Sequence, residues 1–242
     1  SEVQENLRNV QQLHASHKAF AAILADGSVV TWGDQFSGGN SWAVQDQLQN
    51  VQQIQATHFA FAAILADGSF VTWGDRHSGG DSSAVQDQLR NVQQVKASHN
   101  AFSAILADGS VVTWGDLGCG VDIYEVKSQL KSVRQIQAAY FAFAAIRADG
   151  SVVTWGEPGA GGDSSGVQGQ LRNVQEIQAT YRAFCAILAD GSAVVWGDGS
   201  WGGTCDSSAV QRQLRNVERV QGAHFAFAAI LKDESIVTWG HP

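Results

Sequence analysis

A fifteen-residue motif written six times, a second motif in the same register, and strands apolar on both faces predict one fold class. The chain reads as all-β: a six-bladed β-propeller with three-stranded blades of about 41 residues and short helical turns in the inter-blade linkers. The first motif is FAAILADGSVVTWGD from Phe20, and close copies start at Phe61, Phe102, Phe143, Phe184 and Phe227. Its tryptophans, Trp32, Trp73, Trp114, Trp155, Trp196 and Trp239, are spaced 41, 41, 41, 41 and 43 residues apart. The second motif runs SEVQENL at Ser1, SWAVQDQL at Ser41 and SSAVQDQL at Ser82, then IYEVKSQL, SSGVQGQL and SSAVQRQL.

One unit, residues 51–90, shows each element in order. VQQIQA is read as alternating apolar and polar residues and so as a strand, AFAAIL is a second strand, and SFVTWG is a third. Asp67-Gly68 joins the second and third strands and reads as a two-residue hairpin turn. The sixth copy has Glu234 in place of that glycine, so its turn is expected to be strained or differently shaped. In SSAVQDQL, Ser82 or Ser83 can cap, and Val85 and Leu89 stand four apart, which predicts one or two helical turns.

The strand patterns decide the architecture. In the second strand Phe61 and Ala63 oppose Ala60, Ala62 and Ile64; in the third, Val71 and Trp73 oppose Phe70 and Thr72. A sheet with one wet face would alternate apolar and polar residues. Small sheets packed on both faces do not, and six of them set radially make a propeller. Joining the chain ends on paper leaves Trp239 only 6 residues from Val3, where the equivalent internal distance, Trp73 to Val85, is 12. The shortfall falls in that single linker, so a single domain over 1–242, its ring closed between the two termini, is expected.

Composition narrows the function classes. Hydrophobic residues make up 44% and charged residues 16%, a globular balance. A net charge of −8, with 15 Lys and Arg thinly spread, argues against nucleic acid as a partner. No run of 18 apolar residues and no signal peptide is visible. The chain starts at Ser1 and contains no Met, so a processed or truncated N-terminus is expected, and the soluble compartment (cytoplasm, nucleus or an organelle lumen) stays open. Cys119, Cys185 and Cys205 match no metal spacing and read as scattered thiols.

The order V-x-x-I-x-A followed by A-I-L-A-D-G-S-V-V-T-W-G-D resembles the repeat of the regulator-of-chromosome-condensation (RCC1-like) propellers over essentially the whole chain. The short unit is most similar to the variety in a bacterial β-lactamase inhibitor protein, whose blades are three-stranded. The resemblance implies the fold, but not one function, because the family includes an exchange factor, a photoreceptor, ubiquitin-ligase domains and inhibitors. This chain departs from the pattern. Thr57, Ser98 and Ala139 replace the glycine that closes the first strand, the G-Q-L-G phrase is absent, and six blades stand where seven are usual.

With the first strand running up, the turn after it and the exit of the third strand share one end of the blade, and the Asp-Gly turns lie at the other. The linker of about 18 residues returns between them, since a short strand spans roughly 17 Å. The copies agree at the Asp-Gly end and differ at the opposite one. One position there reads Lys18, Phe59, Asn100, Phe141, Arg182 and Phe225; the loop tips include Phe36, His77 and Trp201; and Trp42 and Tyr124 replace serine in the later linker. Aromatic and Arg side chains on a rigid surface are the usual anchors of a protein interface, so these eleven residues form the candidate partner-binding face.

Other motifs carry blander readings. The six repeated tryptophans are core residues. His17, His58, His99, Tyr140, Tyr181 and His224 occupy one turn position and could ring the channel as ligands or as a pH sensor; two of the six are Tyr and neighbours come from different blades, which makes a shared metal site doubtful and solvated or hydrogen-bonded turn residues the plainer reading. Loop carboxylates such as Asp75 and Asp81 lack calcium-loop spacing, and pairs such as Gly79-Gly80 are turn residues, not phosphate cradles. Every candidate nucleophile is repeated, whereas an active site needs one asymmetric constellation. No catalytic residue, cofactor or metal is expected. The sequence therefore points to a non-enzymatic protein-interaction module: a regulator, an inhibitor or an accessory subunit. Two alternatives remain: a multivalent lectin-like carbohydrate binder using the GGDSSAVQDQL loops, and a propeller fragment of an exchange factor or ubiquitin-ligase protein.

Overall fold

The computed structural model describes residues 5–204 and 208–240. Its contacts gather into two compact units, Ser1–Leu117 and Gly118–Pro242, each holding three antiparallel three-stranded sheets in sequential order. The first unit contains β1 (Val10–Ala15), β2 (Ala19–Leu24) and β3 (Val29–Gly33); β4 (Val51–Ala56), β5 (Ala60–Leu65) and β6 (Phe70–Gly74); and β7 (Val92–Ala97), β8 (Ala101–Leu106) and β9 (Val111–Gly115). The second contains β10 (Val133–Ala138), β11 (Ala142–Arg147) and β12 (Val152–Gly156); β13 (Val174–Ala179), β14 (Ala183–Leu188) and β15 (Ala193–Gly197); and β16 (Val217–Gly222), β17 (Ala226–Leu231) and β18 (Ile236–Gly240). The six expected blades are all present as sheets.

The first strand of each sheet carries a bulge at its second residue, between Val51 and Gln53 in β4. A regular strand would put Val51 and Ile54, three apart, on opposite faces. The extra bulge residue brings both to the buried face, so V-Q-Q-I is a strand pattern only because of the bulge. An asparagine in the left-handed region introduces most first strands, as Asn50 does at φ 54°; Ser132 stands in for it before β10.

The turn between the second and third strands differs from expectation. Gly27 donates its N–H to the Leu24 carbonyl at 2.9 Å, and only Gly27, not Asp26, has positive φ. The turn is thus a three-residue loop with glycine at its left-handed last position, not a two-residue Asp-Gly turn. The cause is the aspartate: Asp26 Oδ1 accepts from Ser28 N and Oγ at 2.9 and 2.6 Å, which fixes it in place. In the sixth copy Glu234 adopts φ 67°, so the chain keeps this loop shape with a side chain in the glycine conformation.

Packing between neighbouring sheets follows one recipe within each unit. Ala19, Ala21, Ile23 and Val29 of the first sheet meet Val51, Ile54, Phe61, Ala63, Val71 and Trp73 of the second, with Leu48 of the linker closing the cluster. The small alanines make room for the large rings. The same arrangement recurs between the second and third sheets, the fourth and fifth, and the fifth and sixth. Phe61 and Trp73 stack at 5.2 Å, and Trp73 Nε1 donates to Gly38 O of the preceding loop at 3.0 Å. A Cβ on Gly38 would lie 2.5 Å from the Phe61 ring, so these loop glycines let the loop close over the next sheet as well as turn. The six repeated tryptophans are core residues as expected, and of these only Trp32 is half-buried.

Two sheets keep an uncovered face. Val10, Leu13 and Phe20 are exposed where their counterparts Val51, Ile54 and Phe61 are buried, and Ile230 and Ile236 are exposed where Ile64 and Phe70 are buried. The expected closure at the termini falls on residues 1–4 and 241–242, and with Cys205 these lie outside the described residues. Cys119 and Cys185 are buried thiols.

The linkers form 3-10 turns, such as Trp42–Gln47 and Ser165–Val167, with an α-helix at Ser208–Gln213. Ser41 and Ser164 make no side-chain cap bond to these turns. Instead Ser82 Oγ meets Thr72 Oγ1 at 3.1 Å and donates to Gln86 Oε1 at 2.7 Å, and Gln86 Nε2 donates to Phe70 O at 3.2 Å. The aspartate before it takes the N-terminal N–H: Asp81 Oδ1 accepts from Ser83 N. The repeated S-S-x-V-Q motif is therefore a clamp from linker to outer strand.

Candidate functional site

The turn after the first strand and the loop after the third meet at one end of each sheet. Asp75 N donates to Phe59 O, Glu157 N to Phe141 O and Asp198 N to Arg182 O, at 2.9, 3.0 and 3.0 Å. Thr57 Oγ1 reaches Ser78 O at 2.9 Å, and Thr180 Oγ1 reaches Trp201 O at 2.7 Å. This gives a role to the hydroxyl at Thr57 and its hydroxyl-bearing counterparts, though not to Ala139. Where a glycine would leave the turn untied, the hydroxyl of Ser16, Thr57 or Thr180 pins it to the loop.

In the first unit the turn position holds a histidine stack. His17 and His58 rings lie 4.2 Å apart, as do His58 and His99, and His17 N and His58 N donate to His58 O and His99 O. Phe59 presents its edge or face to all three rings at 5.1 to 6.2 Å. Burial, then the neighbouring His58 and His17, lowers the His99 pKa to about 4; burial followed by His17 lowers that of His58. Rings from neighbouring sheets thus touch. The signal was there: one ring type at one turn position, with turns adjacent from sheet to sheet. Among the described residues no group of three or more His, Cys, Asp or Glu is placed to hold a metal.

The second unit builds an aromatic cluster at the same position. Tyr140 stacks on Tyr181 at 3.8 Å, and Tyr181 contacts His224 at 4.5 Å. Trp201, from the loop after β15, lies between Tyr181 at 4.7 Å and Phe225 at 4.3 Å. Burial and the hydrogen bond with Tyr181 push the Tyr140 pKa up. Arg182 lies over the Phe141 ring at 5.7 Å, and it pairs with Glu157 at 2.8 Å and Asp198 at 3.4 Å. Of the eleven candidate residues, Phe141, Arg182, Trp201 and Phe225 are thus gathered into one cluster, and Phe59 sits on the histidine stack. Lys18 and His77 are exposed, and Asn100 is half-buried with its Oδ1 enclosed and unpartnered. Tyr124 stands 88% exposed. Phe36 and Trp42 line a separate cleft of about 330 Å³ with Gln35, Asn40 and Ala43. A cleft of about 420 Å³ at the Asp-Gly end, lined by Gln52, Ile64, Gly68 and Gln93 among others, is made of repeat residues.

No family model matches this sequence. No curated protein matches it either. Solved structures do. Yeast RCC1 (Prp20) bound to Kap60 superposes with a TM-score of 0.61 at 16% identity, over 98% of this chain and 71% of that one. Prp20p from Saccharomyces cerevisiae, described with its binding to Gsp1p and histones, gives 0.60 at 15%, over 98% and 73%. Human WBSCR16 gives 0.56 at 16%, over 92% and 72%. The fold is that of the RCC1-type β-propeller, as the repeat resemblance implied. At these identities the likeness establishes the fold alone. No helix among the described residues is long and apolar enough to cross a membrane.

Proposed function

We propose that this chain is a non-enzymatic protein-interaction module, one propeller domain over its length, that holds a protein partner through the turn-and-loop end of its sheets. One observation carries the reading. Residues that depart from the repeat, Trp201, Phe225, Arg182 and Phe141, converge in a single partly exposed aromatic cluster on turns tied down by the repeat itself. Rigid aromatic and Arg groups give much contact area for little entropy loss. The carboxylates Glu157 and Asp198 beside them, and a net charge of −8, suit an apolar partner patch rimmed by basic groups. The solved relatives whose partners are known bind proteins: yeast RCC1 is seen with Kap60, and Prp20p binds Gsp1p and histones.

A lectin built on six equivalent GGDSSAVQDQL loops draws little support, because the repeated serine and glutamine are engaged inside the linker clamp. The fragment reading is decided by the intact mass of the native protein. The interaction reading is tested by affinity capture from the native source with Phe59, Phe141, Trp201 and Phe225 replaced together by Ala. Loss of one specific partner with an unchanged melting temperature is expected. Undiminished recovery would defeat the reading.

A further inference from the structure

The linker clamp leaves the polar groups of most copies occupied, but the first copy differs at the surface beside it. Gln35, Phe36, Asn40 and Trp42 stand where the second copy has Arg76, His77, Asp81 and Ser83. In the second copy Arg76 and Asp81 form an ion pair at 3.1 Å. In the first, that pair is replaced by two carboxamides, a phenyl ring replaces the imidazole and an indole replaces the serine, with Phe36 and Trp42 72% and 86% exposed. These substitutions all line the one cleft of about 330 Å³. Its volume lies at the small end of ligand pockets, which run from about 300 to 1,000 Å³.

The walls of the cleft are held in place. Asp34 Oδ1 accepts from Ser37 N and Oγ at 2.9 and 2.8 Å, fixing the loop that carries Phe36. Ser41 bonds Thr31 and Gln45, fixing the start of the turn that carries Trp42. Asn40 Oδ1 accepts from Trp42 N at 2.9 Å, which leaves the Nδ2 hydrogens as its donors. A cation would want acceptors and a carboxylate here, and an anion would want a Lys or Arg. The lining supplies neither charge. Exposed aromatic faces beside neutral amides match a ring with an apolar C–H face and hydroxyls at its edge.

We propose that this cleft binds a neutral sugar ring, stacked on Trp42 beside Phe36 and hydrogen-bonded by Gln35 and Asn40. It is a single site, present in the first copy alone, and it does not depend on the protein-interaction reading. The test is saturation-transfer NMR on the full chain with four probes: maltotriose, cellotriose, chitotriose and N-acetyllactosamine. The parent protein should show transfer to at least one. Trp42→Ala should weaken that binding by about tenfold, the equivalent of roughly 1.4 kcal/mol. Asn40→Asp, which restores the residue of the second copy, should weaken it as well, while melting stays unchanged for both variants. Absence of transfer to all four probes overturns the proposal, as does sugar binding that survives Trp42→Ala. Binding of library peptides that Trp42→Ala abolishes, without any sugar transfer, would also overturn it and assign the cleft to a peptide.

Discussion

Ser103 is a fully buried hydroxyl whose Oγ has no partner, at a position held by Ala62 and Ala144 in neighbouring copies. An unsatisfied buried donor is costly, so Ser103→Ala should stabilise the fold by about 1 kcal/mol. Chemical denaturation reads this directly, and a destabilised variant would show that the hydroxyl has a partner after all. The tryptophans give a matched comparison. Trp114 Nε1 donates to Gly79 O at 3.0 Å, whereas Trp155 Nε1 is buried without a partner. The third loop has Val121 where its counterparts have Gly39, Gly80, Gly162 and Gly203, positions at which a Cβ would meet backbone at 2.3 to 2.6 Å. The loop keeps the same turn, with Gly120 at φ 92°, but the Trp155 indole finds no carbonyl to bond. Trp114→Phe should cost about 1 kcal/mol more than Trp155→Phe. Equal losses in urea melts would refute this account of the loop. At this scale the sequence displayed Val121 and Ser103 as departures, but their cost depends on the backbone lying within reach, which no pattern of residue types conveys.

Turns and strands are where sequence reading and structure part most clearly. Strand existence was legible from apolar runs and Gly punctuation, and all eighteen strands are found. The bulge was not, because V-Q-Q-I fits a loosely alternating strand as well as a bulged one. The Asp-Gly pair suggested a two-residue turn; the Asp–Ser hydrogen bonds, which select the three-residue loop instead, involve a residue outside the pair. Glu234 occupies the left-handed position that glycine holds in the other turns, so Glu234→Gly should stabilise by about 0.5–1 kcal/mol in denaturation. A loss would mean that the Glu234 side chain makes a compensating contact. The histidine stack predicts a pH effect. The folded pKa of His99 is held near 4, below the 6.5 of an unperturbed histidine. Between those values the unfolded chain takes a proton that the folded chain refuses. The stack's contribution is thus complete above about pH 6.5 and is lost as pH falls toward 4. Melting temperature should fall over that window, and His58→Tyr, which copies the Tyr140–Tyr181 pairing, should flatten the fall. A slope unchanged by His58→Tyr would remove the stack as its cause.

Across the whole molecule, the repeated motif and the departures from it divide the work. The repeat supplies bulged strands, alanine-against-phenylalanine packing and the Ser-Gln linker clamp, and its chemistry is directed inward. The strands and the alanine-against-phenylalanine pattern could be read from periodicity; the bulge and the clamp could not, because each depends on hydrogen bonds that residue types alone do not display. The candidate surface was legible only as a set of eleven variable positions. Which of them meet depends on contacts between adjacent copies, as where Trp201 of the fifth copy stacks on Phe225 of the sixth. A single copy does not contain that information. The most direct test is a chain in which the other five copies carry the turn and loop residues of the second copy at the positions of Phe59, Arg76, His77, Ser78, Asp81 and Ser83, which replaces Trp201 by Ser and Arg182 by Phe. Partner recovery is then measured against the parent by quantitative affinity capture. The account predicts recovery reduced by about tenfold or more at a melting temperature close to that of the parent. Recovery at the parental level would show that the partner reads the repeat itself, contradicting the division.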